Sequence, residues 1–133
     1  VLALASEGGQ RLSIAPDLAP GSGARFTAMP ELESSMLDAV QEPDGGLLVG
    51  SFRRIIRWRD GEAESGFVCK TQGDRIVPWR DGLYVVADGD EVHLLRAGPR
   101  LELVRTLVPR LPEAAADIAI DAHDRLWIAL SKL

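Results

Sequence analysis

Residues 117–122 read Asp-Ile-Ala-Ile-Asp-Ala, so Ile118, Ile120 and Ala122 share one face and Asp117, Ala119 and Asp121 the other. Alternation with a period of two is the pattern of a strand buried on one side. The run that follows, Leu126–Leu130, is apolar at every position, as are LLVG from Leu47 and LYVVA from Leu83. A strand of that composition needs cover on both faces of its sheet. Between the two kinds of segment lies a short polar turn in which Gly and Asp supply positive φ at low cost, so each pair reads as a hairpin.

The hairpin recurs along the chain. Placing 7–15, 42–51, 79–88 and 121–131 in register aligns Leu12, Leu47, Leu83 and Leu126, at spacings of 35, 36 and 43. After the second hairpin come two more strand-like segments, Ile55–Asp60 and Gly66–Gln72, and after the third, Glu91–Gly98 and Leu101–Val108. The first unit is poorer, with Pro16–Ala24 where a third strand belongs and Arg25–Met29 as the fourth. Leu32, Met36, Leu37 and Val40 also fit a helical face, but register with the other copies favours a strand over Met36–Gln41. The pattern predicts an all-β chain of four-stranded antiparallel meanders, in units 1–33, 34–73 and 74–112 with a half unit at 113–133.

A meander with two apolar faces cannot bury both alone, so its copies must stack, and radial stacking of four-stranded sheets is the β-propeller. The plainer alternative is an antiparallel sandwich of unrelated hairpins. Propellers close with about 4 to 8 blades. Three blades and a half are therefore expected to belong to a larger propeller, or to a ring that another chain completes.

The hairpin Asp121–Leu130, with its sister Pro43–Gly50, resembles the D-x-x-G-x-L-W-[IV]-[GA] core of propeller repeats such as the two-component-regulator propeller and the NHL repeat. It is also similar to blades of the regucalcin and gluconolactonase group. The resemblance spans nearly the whole chain and departs at Arg125, where a turn glycine is expected. It implies a blade rather than an activity. Lactonases of that group hold a divalent metal through a carboxylate and asparagines; this chain has no Asn, so that ligand set maps onto no position here.

Composition narrows the function further. The 133 residues are 46% apolar with a formal charge of −5, and no block of like charge runs along them. Nucleic-acid and anionic-membrane binding rest on clustered cations, so neither is expected. No apolar stretch reaches the roughly 18 to 20 residues of a membrane span. The single cysteine, Cys69, cannot pair within the chain, so the localisation, cytoplasmic or periplasmic, stays open. Thirteen Arg against two Lys, with abundant Ala, Gly and Pro, point to a high-GC bacterial gene. A chain that begins at Val1 reads as a trimmed or partial segment.

No catalytic residue, metal ligand or cofactor is expected. His93 and His123 lie 30 residues apart with no zinc-type spacing around either. No G-x-S-x-G elbow occurs, and Gly21–Gly23 lacks the Lys and helix of a phosphate loop. Cys69 reads as a buried small hydrophobe, Trp127 as core, and Trp58 and Trp79 as half-buried packing residues beside Arg57, Arg59 and Arg80.

Propellers generally bind where the loops between second and third strands and the blade junctions emerge. Those segments hold Phe52, Arg53 and Arg54, then Asp88, Gly89 and Asp90, with Arg75, Glu113 and Lys132 at junctions. Arg pairs clamp carboxylate or phosphate, although charged turns also simply meet water. The reading is a non-catalytic binding module for a protein partner or small anionic ligand in a sensory or regulatory protein, with Phe52, Arg53, Arg54, Arg75, Asp88 and Asp90 as contacts. A propeller hydrolase or lactonase with its metal ligands in blades outside this chain is the alternative, and a structural repeat domain is a third class.

Overall fold

The computed structural model describes residues 3–7, 11–15, 27–28, 36–64 and 66–131, and among them every regular element is a strand. The chain divides into two compact units, Val1–Met36 and Leu37–Leu133. In the first, β1 (Ala3–Glu7), β2 (Arg11–Ala15) and β3 (Thr27–Ala28) form an antiparallel sheet in that order. The weak third strand expected at Pro16–Ala24 lies outside the described residues.

The second unit begins with β4 (Met36–Gln41), β5 (Leu47–Arg59), β6 (Glu62–Glu64) and β7 (Val68–Pro78). It continues with β8 (Leu83–Asp88), β9 (Glu91–Ala97), β10 (Leu101–Val108), β11 (Ala115–Ile120) and β12 (Leu126–Leu130). Seven strands run in the order β10-β9-β8-β7-β5-β4 with β6 on β5, while β11 and β12 pair separately. The segment at Met36–Gln41 is a strand, so the hairpin register prevails over its helical spacing.

Segments expected as separate strands are fused in two places. In β7, Val68 and Gln72 pair with β5, whereas Gly73 to Pro78 pair with β8, and a bulge at Gly73–Arg75 marks the change of partner. In β5 the ends are buried and Phe52–Arg54 in the middle is exposed, with Arg53 at φ 64. Positive φ is uncommon for a residue with a side chain.

These left-handed residues recur with the leucines. Gly45 (φ 95), Asp81 (φ 48) and Asp124 (φ 59) each stand two positions before Leu47, Leu83 and Leu126; Arg53 (φ 64) and Gly89 (φ 60) each stand six positions after Leu47 and Leu83. The left-handed place two residues before the leucine falls on Asp124 rather than Arg125, so the turn needs no glycine at Arg125, and Asp tolerates that conformation.

Strand β8 explains why the unit is layered. Tyr84 and Val86 point to one side and meet Leu48, Ile55, Cys69, Ile76 and Leu95; Val85 and Ala87 point to the other and meet Val92, Leu94, Ala115 and Ile118. All are at most 6% exposed. The first cluster joins strands three places apart in the sheet order, so the sheet folds over at β7; the second is closed by the β11–β12 hairpin. The apolar runs of β5 and β8 thus obtain the two-sided cover their composition requires, whereas Leu126–Leu130 is covered on one side only, with Trp127 and Ala129 exposed. Trp127 departs from expectation. It is 56% exposed, because Leu126 and Ile128 occupy the inward face of β12 and alternation turns Trp127 outward.

A buried ion pair ties the layers at one end. Glu42, just after β4, accepts two hydrogen bonds from Arg57 on β5, Nε to Oε2 at 2.9 Å and Nη2 to Oε1 at 2.6 Å, with both side chains under 5% exposed. The same guanidinium donates to the carbonyls of Gly98 and Ala97 at the β9–β10 turn. Removing one partner strands the other charge in the interior.

Two outcomes follow. Glu42→Ala or Arg57→Ala should each lower stability by about 3 to 5 kcal/mol in urea denaturation, whereas joint replacement by Leu and Met should cost far less. Asp121 accepts from Trp127 Nε1, the Arg125 and His123 amides and Arg125 Nε, at 2.6 to 3.0 Å. The Trp127 bond foremost holds its carboxyl at about 2 against opposing desolvation. Because the folded value lies below the unfolded one, its stabilisation is complete above about pH 4 and is lost as pH falls toward 2. A carboxyl titration by NMR should show that midpoint, and Asp121→Asn should abolish this acid-dependent part.

Candidate functional site

The sites expected from sequence collect at the end of the sheets opposite the Arg57 clamp. Across β7, Phe52 pairs with Gln72 and Asp88 with Gly73, which sets the middle of β5 beside the β8–β9 turn. The chain leading to β11 joins them, with the Leu111 and Ala115 amides donating to the carbonyls of Asp90 and Gly89. Phe52 is 58% exposed, and Arg53 and Arg54 are exposed beside it. Arg75 lies 3.4 Å from Asp117 in a surface ion pair, and Glu113 is exposed. Lys132 lies outside the described residues.

Asp88 behaves differently from its neighbours. It is only 1% exposed and spends both oxygens on β7: Oδ2 accepts from the Lys70 amide at 2.6 Å, and Oδ1 from the Thr71 amide (2.8 Å), the Thr71 hydroxyl (2.9 Å) and the Gln72 amide (3.1 Å). Burial pushes its carboxyl up, but His93 beside it and the Thr71 and Lys70 donors outweigh that and hold it far below the ordinary carboxylate range. Asp90 faces solvent and stands 3.7 Å from Lys70 Nζ.

Glu91, which the sequence reading did not single out, and His93, which it weighed and set aside as a metal ligand, complete this cluster. The turn at Gly89–Asp90 has two residues, so Asp88 pairs directly with Glu91, and His93 lies on the same face two positions further. Its Nε2 is 3.5 Å from Asp88 Oδ2 and 3.3 Å from Glu91 Oε2. Its Nδ1 is 3.0 Å from Thr106 Oγ1 on β10, and Phe67 stacks edge-on at 5.4 Å. Asp88, Glu91 and His93 are the group that could hold a cation among the described residues. The signal was present in Asp-Gly-Asp-Glu-Val-His, once that turn is known to have two residues.

The remaining chemistry is structural. Cys69 is buried in the apolar cluster, as its composition implies, and His123 sits exposed in the β11–β12 turn. Trp79 is half-buried, donates from Nε1 to Asp124 at 2.7 Å and carries the Arg80 guanidinium 4.3 Å over its ring. A cavity of about 260 Å³ beside it is lined chiefly by Val85, Leu94, Leu107 and Leu126. That is smaller than ordinary ligand sites, and of the two charged side chains on it, Arg105 and Asp124, the latter is already engaged by Trp79 and Arg80.

Compared with protein-family models, curated proteins and solved structures, the chain matches none. No described helix is long and apolar enough to cross a membrane.

The β8–β9 turn yields a test of its packing. A Cβ on Gly89 would lie 2.5 Å from Thr71 Oγ1 at a backbone φ of +60. Gly89→Ala should therefore destabilise by more than the ~1 to 2 kcal/mol of left-handed strain alone. In a double-mutant cycle with Thr71→Ala the double variant should lose less than the sum of the two single losses, because the clash disappears with the hydroxyl.

Proposed function

We propose that the chain forms blades of a β-propeller and serves as a non-catalytic binding module for a small anionic ligand or protein partner in a sensory or regulatory protein. The supporting observation is the cluster of Phe52, Arg53 and Arg54 exposed at one sheet end while both faces of β8 are buried. When faces are committed to packing, the strand ends are what remains for recognition. An exposed aromatic beside two guanidinium groups suits a planar or multidentate anion.

The propeller reading draws on two further features. Left-handed positions recur two residues before Leu47, Leu83 and Leu126 and six after Leu47 and Leu83, and the apolar runs of β5 and β8 are each packed against the segment that follows them. A further blade, from the same protein or another chain, would cover the outer face of β11–β12, where Trp127 now faces solvent. Arg75, paired at the surface with Asp117, would join the binding surface through its place on β7 beside the end of β8.

The test is a calorimetric and thermal-shift panel of phosphates, polycarboxylates and acidic peptides against wild type and Arg53→Glu/Arg54→Glu. A binder is expected whose affinity falls at least about tenfold, some 1.4 kcal/mol, in the variant, with its own melting temperature unchanged. Binding indifferent to both reversals would place recognition elsewhere and overturn this reading.

A further inference from the structure

The tip of the β8–β9 hairpin carries an electrostatic problem that the described side chains do not solve. His93 is 4% exposed, and its Nε2 is the buried side-chain nitrogen or oxygen without a hydrogen-bond partner among the described residues. That atom faces two carboxylates. A buried polar atom left unmatched is costly, and in the tautomer protonated on Nδ1 the Nε2 lone pair is turned toward two anions.

The surroundings are arranged as a ligand set is. The donor atoms of Asp88, Glu91 and His93 all lie within 4.8 Å of one another. Zinc bonds of about 2.0 to 2.1 Å at tetrahedral angles put neighbouring ligand atoms about 3.3 to 3.4 Å apart. The two distances from Nε2 are 3.3 and 3.5 Å. Metal-bound histidines donate their second ring nitrogen to an oxygen, which fixes the tautomer. Here the Thr106 hydroxyl stands 3.0 Å from Nδ1 and can take that proton, leaving the Nε2 lone pair directed at the carboxylates.

Asp88 is held in place by β7 amides and the Thr71 hydroxyl, as an outer shell holds a ligand. Charge points the same way. Asp88, Asp90 and Glu91 are met nearby by Lys70, whose Nζ lies 3.3 Å from Glu91 Oε1 and 3.7 Å from Asp90 Oδ1. A negative excess remains that a divalent ion balances. Glu91 is partly open to solvent, so an ion has a way in and water can fill the last position.

We propose that Asp88, Glu91 and His93 form a binding site for a zinc-type divalent cation, which pins the β8–β9 hairpin to β7 beside the anion-binding end. One nitrogen and two carboxylate oxygens favour zinc or cobalt over magnesium or calcium, which prefer all-oxygen shells. The site stands independently of the binding-module reading, since none of its ligands is among Phe52, Arg53 and Arg54.

The experiment uses untagged protein stripped with chelator and titrated with Zn²⁺ by calorimetry and with Co²⁺ by visible absorption. One ion per chain, a rise in melting temperature and a cobalt d–d spectrum of low-coordinate type are expected. Glu91→Gln and His93→Gln should each weaken binding about tenfold or more. Cys69→Ser and His123→Ala should leave it unchanged. Glu91 is partly exposed, so its variant should fold like wild type in chelator, which keeps the test readable if His93→Gln proves unstable. Failure of wild type to take up either ion in excess, or uptake unaffected by both ligand variants, would overturn the proposal. So would ¹⁵N spectra showing protons on both ring nitrogens of His93 in the presence of zinc, because the cation at the carboxylates is then the imidazolium itself.

Discussion

The architecture rests on strands that are apolar on both faces. Tyr84, Val85, Val86 and Ala87 follow one another along β8 and are all buried, and no single sheet can provide that. Each such side chain contributes about 1.5 to 3 kcal/mol when fully removed from water, so cover on both sides is the dominant demand. Folding the long sheet over at the β7 bulge answers it on one side, and the β11–β12 hairpin on the other. The middle sheet is then fixed between two layers, and its strand ends become the surfaces left for anything else.

The two ends of the sheets have unlike character. At one, Glu42, Arg57 and the carbonyls of the β9–β10 turn form a closed, buried set in which nearly every hydrogen-bonding position is used. Such a cluster gives orientation more than net stability, since its Coulomb gain offsets a large desolvation cost. The opposite end keeps charge exposed at Arg53 and Arg54 and holds a buried set, around Asp88 and His93, with one position unfilled.

Gly89 and Arg53 give that open end its two characters. Both adopt positive φ six residues after a leucine, Leu83 and Leu47, Gly89 in the β8–β9 turn and Arg53 at the exposed middle of β5. Where the residue is Gly, the hairpin draws close enough to Thr71 for Asp88 to be capped by β7 amides. Where it is Arg, the same backbone carries a guanidinium into solvent. A left-handed residue thus accompanies a buried polar cluster at the β8–β9 turn and an exposed cationic one on β5.

Alternation, turn residues and the spacing of Leu47, Leu83 and Leu126 determined the strands, their pairing into hairpins and the need for layers, because these depend on local φ preference and on which face of a strand is apolar. The strand at Met36–Gln41 was legible for the same reason. Fusion of neighbouring segments into β5 and β7 was not, since it depends on partners switching across a bulge. Nor was the exposure of Trp127, which follows from what does or does not pack on β12. Asp88 looked like a surface loop acid and is a buried cap, and His93 looked isolated and faces two carboxylates. Side-chain environments of that kind are set by strands far apart in sequence, and only the tertiary structure decides them.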